Sequence, residues 1–201
     1  MRHWIVITTF VLLGIAFTVT IAWFIHSPDF EPVITSLALL TTITGLFIER
    51  WLAAREKRRE LLNALMHELY MNKRVLEDSL FHPDTQPRTV ANVYPRLYNA
   101  TLETVIASGS FHQHHDRALF NLMHLWKQRV LEFNRRLDIT ELHTIVNPSA
   151  DVIKAHRNGL TTGVVLKDTK KTFGDLSSHL LEHYPKESGV ERNTVLFGDS
   201  T

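Results

Sequence analysis

Residues Trp4 to Ile25, WIVITTFVLLGIAFTVTIAWFI, make a run of 22 residues without one charged side chain. As an α-helix the run is about 33 Å long, enough to cross a hydrocarbon core of ~30 Å. Trp4 and Trp23 lie near its two ends, where indole rings favour the headgroup layer. A secretory signal peptide is the competing reading. It fits worse, because the run is long, no small-residue cleavage site follows, and a second apolar run comes at once.

That second run is Val33 to Ile48, VITSLALLTTITGLFI, with 16 uncharged residues, or about 24 Å of helix. The link HSPDFEP, residues 26–32, carries Pro28 and Pro32 where they stop one helix and start the next. A span this short must borrow Phe30 and Trp51-Leu52, thin the bilayer, or associate with neighbours. Residues 1–50 are therefore expected to form a transmembrane hairpin with spans at 4–25 and 33–48.

Orientation follows from the basic residues. The link has none, only Asp29 and Glu31, whereas Arg2 precedes the first span. Arg50, Arg55, Lys57, Arg58 and Arg59 follow the second. The positive-inside rule then places both termini in the cytoplasm, most simply of a bacterial inner membrane. The same basic cluster can rest on anionic headgroups.

Both spans carry small residues at helical spacing: Gly14, Thr18 and Ala22 on the first, Ala38, Thr41, Thr42 and Gly45 on the second. Small residues let helix backbones approach closely in lipid. Two readings stand side by side. The hairpin packs on itself with each threonine bonded to its own backbone, or copies pack together as a homo-oligomer along a partly polar path. No ionisable residue lies inside either span, which argues against a transporter or proton relay.

No Pro or Gly interrupts the sequence from Leu46 to Leu80, so the second span is expected to continue into the cytoplasm as one helix. Its seam runs through Leu62, Leu65, Leu69, Asn72 and Leu76 to about Leu80, before Pro83 and Pro87. Asn72 on that seam reads as a register-fixing polar residue. A second cytoplasmic helix is expected over Tyr94–Ser108, with Pro95 in its first turn and Gly109 as its stop. A third fits Asp116–Leu137, where Leu119, Met123, Trp126, Val130, Phe133 and Leu137 repeat at four-three spacing. A fourth fits Ser149–Tyr184, with Ser149 as N-cap and a break possible near Asn158-Gly159. Residues 185–201 lack a period and read as a mobile tail. The fold expected is an all-α membrane protein: an N-terminal two-helix transmembrane hairpin, then a cytoplasmic antiparallel helical bundle over 51–184.

Chemistry is sparse. The chain has 22 Lys and Arg against 21 Asp and Glu, a balance that disfavours a nucleic-acid binder. It has no cysteine, which removes disulfides, thiolate metal sites and a thiol nucleophile. Its 12 histidines include the cluster FHQHHD (111–116), where Asp116 is placed to cap the third helix. His179 and His183 lie four apart, but the glutamate of an H-E-x-x-H site is missing. Neither a metal nor a cofactor is expected, nor an enzyme, since no phosphate-cradling or nucleophile-elbow motif occurs.

The basic exit ERWLAAREKRR at 49–59, HELYMN at 67–72, the SGSF turn at 108–111 and LEFN at 131–134 go together with the short hairpin. In this layout the chain resembles the two-transmembrane effectors of bacterial retron anti-phage defence systems. The resemblance implies an abortive-infection effector that damages the inner membrane once released by a reverse transcriptase with its DNA–RNA product. A membrane-anchored adaptor, whose hairpin only tethers the bundle to a cytoplasmic partner, is the alternative.

Overall fold

Both apolar runs are helical in the computed structural model, which describes residues 2–26, 31–82, 93–111 and 116–185. Helix α1 spans Arg2–His26. Helix α2 spans Glu31–Leu76, so the short apolar run and the charged stretch beyond it are one element of 46 residues. Among the described residues all regular structure is helical. From Thr35 onward α2 is long and apolar enough, by length and composition, to cross a membrane.

The chain divides into two compact units, 1–55 and 56–201, and α2 contributes to both. In the first unit Phe17 of α1 and residues Leu37 to Ile48 of α2 line one shared groove. The second unit has a core of its own. Leu62, Leu65, Met66 and Leu69 of α2 are buried there, as the four-three seam requires. Helix α2 stops at Leu76, slightly before Leu80. A 3₁₀ turn at Ser79–Phe81, capped by the Asp78 carboxylate on the Leu80 N–H, then carries Phe81 into the core. Its ring lies 5.9 Å from that of Tyr94 and 5.3 Å from that of Phe133.

Helix α3 covers only Ala100–Ala107, shorter than the Tyr94–Ser108 helix expected. Pro95 keeps Tyr94 out of the helix, and tertiary bonds from Asn134 and Asn72 to the Leu97 and Tyr98 backbone hold the following residues out of it. Residues 93–99 form instead an extended strap whose amides are held by side chains of other helices. Gly109, at φ 63°, stops the helix as expected.

Helix α4 runs Arg117–Val146, well past Leu137. The buried seam of six apolar residues continues through Thr140 and Thr144. Their hydroxyls donate to the carbonyls of Arg136 and Thr140, which lets polar residues occupy buried positions.

The single helix expected over Ser149–Tyr184 is two helices: α5, Ala150–Thr161, and α6, Val164–His183. Ser149 caps α5 by accepting from the Val152 N–H. The break falls at Thr162-Gly163, just beyond the Asn158-Gly159 pair. A Cβ on Gly163 would collide with the Gly159 carbonyl oxygen, a backbone atom that cannot swing away. Gly163→Ala is therefore expected to lower the stability of the bundle by about 1–3 kcal/mol, read from thermal unfolding of the purified chain. Residues 83–92, the histidines at 112–115 and the tail beyond Pro185 lie outside the described residues.

Candidate membrane interface and the braces of the bundle

Large apolar side chains stand exposed around both N-terminal helices. Phe17, Val19 and Ile25 on α1, and Leu39, Leu46 and Phe47 on α2, are each more than half exposed, with Ile25 at 77%. Trp51 and Leu52 extend the belt toward the basic exit. So much contiguous apolar surface marks an interaction with lipid or protein.

A Cβ on Gly14 or Gly45 would meet nothing within 4 Å. Thr18 donates to the Gly14 carbonyl, Thr41 to that of Leu37 and Thr42 to that of Ala38, at 2.8–2.9 Å. These hydroxyls are satisfied within their own helix, leaving Gly14, Thr18, Ala22, Ala38, Thr41 and Thr42 on open surface. Gly45, with Phe17, Leu40 and Thr44, lines a groove of about 360 Å³.

The basic cluster divides. Arg50, Lys57 and Arg59 are exposed, and Arg55 lies over the Trp51 ring at 5.7 Å. Arg58 turns inward. It grips the Asp116 carboxylate with two bonds, 2.7 and 3.1 Å, and stacks over Phe111 and Tyr184. Asp116 is only 4% exposed and also accepts from the Tyr184 hydroxyl at 2.8 Å. Its carboxylate, expected to cap α4, makes no capping bond. It ties the first turn of α2 in the bundle to the start of α4 and the end of α6. The seam could have revealed this, because Arg58 precedes Leu62 by four and so falls on the buried 58-62-65-69 row.

The strap is braced from both sides. Asn72 of α2 accepts from the Tyr98 N–H at 2.7 Å and donates to the Tyr98 carbonyl at 2.8 Å. Asn134 of α4 does the same to Leu97, at 3.0 and 2.9 Å. Each carboxamide thus imitates one rung of a β-ladder for a segment that has no strand neighbour. Glu68 of α2 receives the N–H groups of Thr101 and Leu102, closing the α3 N-terminus where a negative charge also suits the helix dipole. Glu141 of α4 receives the Tyr94 N–H and a bidentate grip from Arg96, which also reaches Asp138. The Arg96 bonds hold the Glu141 carboxyl below its ordinary pKa, with the Tyr94 amide adding to the effect. Burial pushes the Tyr94 phenol up. Among these braces sequence reasoning marked Asn72 and Asn134, both as residues on helix seams.

Four of the described histidines stack in two pairs. His143 and His156 stack at 4.9 Å, and burial first, then His143 and Arg136, lower the pKa of His156. His179 and His183 stack at 4.3 Å, and the Nδ1 of His183 lies 3.2 Å from the His179 carbonyl. Among the described residues there is no group of three His, Asp or Glu side chains placed to hold a metal ion.

No protein-family model, curated protein or solved structure matches the chain.

Proposed function

We propose that the chain is a membrane-inserted effector that permeabilises the bilayer as an oligomer, with its helical bundle as the controlling part. The observation that carries this reading is the belt of exposed apolar side chains on α1 and α2. Removing such surface from water is favourable by about 25 cal/mol per Å², and hydrocarbon can cover every side of both helices at once. In this reading both helices span a bacterial inner membrane, with the basic exit and both termini in the cytoplasm. Copies then meet through Gly14, Thr18 and Ala22 of α1 and Ala38, Thr41, Thr42 and Gly45 of α2. The open space at Gly14 and Gly45 favours contacts between copies over contacts within one chain.

The resemblance to retron effectors supplies the anti-phage setting and the restraining partner, a reverse transcriptase with its DNA–RNA product. Helix α2 offers the route for control, because the apolar run and the braced segment share one uninterrupted element.

Inducible expression in a bacterium with a potential-sensitive dye tests this. The wild-type chain is expected to collapse the membrane potential before growth stops. The variant Gly14→Leu, Thr18→Leu, Gly45→Leu, confirmed in the membrane fraction, is expected to preserve it, since bulky side chains hold neighbouring helices apart. Collapse by the triple variant would overturn the association of copies. Preservation by both chains would overturn the effector reading in favour of an adaptor.

A further inference from the structure

Among the described residues, no helix packs on the outward face of α4. Helix α5 covers the side of α4 that carries His143, through the stack with His156. Helix α6 covers the side of Trp126 and Arg129, through Phe173 and Asp168. The strap covers the side of Asn134 and Glu141. Between these neighbours a second seam recurs at three-four spacing from Leu125 to Val146, about 32 Å of helix. Its apolar members, Leu125, Ile139, Leu142 and Val146, are 40%, 37%, 62% and 70% exposed. Asn121, Leu125, Gln128 and Leu131 line open surface along the first half of this face.

We propose that this face pairs with the same face of a second copy, α4 against α4 in parallel, as a short two-stranded coiled coil. Three features fit that occupant. With Leu125, Glu132, Ile139 and Val146 at a positions, the d positions are Gln128, Arg135 and Leu142. The last heptad thus sets β-branched residues at a and leucine at d, the combination that favours parallel dimers. The charges complement one another. Glu132 and Arg135 occupy successive layers, so each carboxylate stands beside the guanidinium of the other copy. Arg135 is exposed and makes no ion pair among the described residues. Glu132 accepts from Arg129 at 2.8 Å and keeps acceptor capacity for a second donor.

Direction is the third feature. Arg58 meets Asp116 at the start of α4, while Asn72 holds Tyr98 beside the Leu97 that Asn134 holds farther along it. Within the bundle α2 and α4 therefore run the same way. A parallel α4 pair carries both α2 helices out at one end, as two copies in one bilayer require. The direction thus rests on the membrane reading, and the pairing itself does not.

The absence of cysteine makes the test clean. Full-length Leu142→Cys and, as control, Lys154→Cys on the exposed side of α5 are oxidised mildly in native membrane vesicles. Leu142→Cys is expected to form a covalent dimer and Lys154→Cys to stay monomeric. Adding Glu132→Arg to Leu142→Cys is expected to reduce the dimer to the control level by setting four cations together. Adding Arg135→Glu as well is expected to restore it. Equal cross-linking at 142 and 154, or indifference to the charge changes, would overturn the pairing. So would protection of Leu142→Cys from a thiol reagent without a dimer, which would mean that another partner covers the face. A dimer in cells that keep their potential would sink the effector reading and leave this surface standing. Depolarisation without a dimer would do the reverse.

Discussion

Asn72→Ala is expected to destabilise the bundle by about 2–5 kcal/mol, because it removes both hydrogen bonds on the Tyr98 backbone and leaves a gap where a buried side chain stood. The side chain is fully buried and serves both the N–H and the carbonyl of Tyr98. An unsatisfied buried donor or acceptor costs about 1–3 kcal/mol. Alanine offers no replacement bond to either group. For a unit of this size the midpoint of thermal unfolding would fall by roughly 5–15 °C, measurable by circular dichroism on the purified chain in detergent. Asn134→Ala is expected to act in the same direction, since its side chain holds the N–H and carbonyl of the buried Leu97 in the same way. A fall of under 2 °C for Asn72→Ala would mean that the strap is held by something other than its braces.

Arg58→Ala is expected to cost about 3 kcal/mol, and more than Asp116→Asn. The two partners are unequally placed, with Asp116 4% exposed and the Arg58 side chain 23%. Removing one member of a buried ion pair costs about 3–5 kcal/mol when the survivor stays buried. Here the survivor of Arg58→Ala is the deep carboxylate, which keeps the Tyr184 hydroxyl but loses two charge-assisted bonds. The survivor of Asp116→Asn is a guanidinium already near solvent, over two aromatic rings. Unfolding midpoints of the two variants decide the order. Equal losses would mean that the pair is wetter than its geometry implies.

The helices were legible in the sequence where one face alone decides them. The seams through Leu62–Leu76 and Leu119–Leu137 are buried as their spacing required, and the caps at Ser149 and Gly109 sit where local chemistry placed them. The strap was not legible. Its backbone is held by Asn72, Asn134 and Glu141, residues 26 to 47 positions away, and no window of local propensity contains such bonds. The far half of α4 was hidden for another reason, since threonine reads as polar until its hydroxyl is seen to turn back on its own helix. The break falls at Gly163, where any Cβ would collide with the Gly159 carbonyl oxygen, a crowding that composition alone could not assign to one glycine or the other. For the membrane face the sequence supplied the apolar runs, and the structure adds that Gly14 and Gly45 stand open. Arg58 shows the limit of reading charge without phase. Counted with its basic neighbours it belongs to the lipid, and counted along the seam it belongs to the core.

Membrane topology is the point on which the rest depends, and single-cysteine labelling addresses it directly in this cysteine-free chain. Asp29→Cys in the link and Lys154→Cys in the bundle would each be treated in intact cells with a membrane-impermeant maleimide, then again after lysis. Two spans with cytoplasmic termini predict that Asp29→Cys reacts in intact cells and Lys154→Cys only after lysis. Labelling of Lys154→Cys from outside, or protection of Asp29→Cys until lysis, would contradict the insertion of both apolar helices in this orientation.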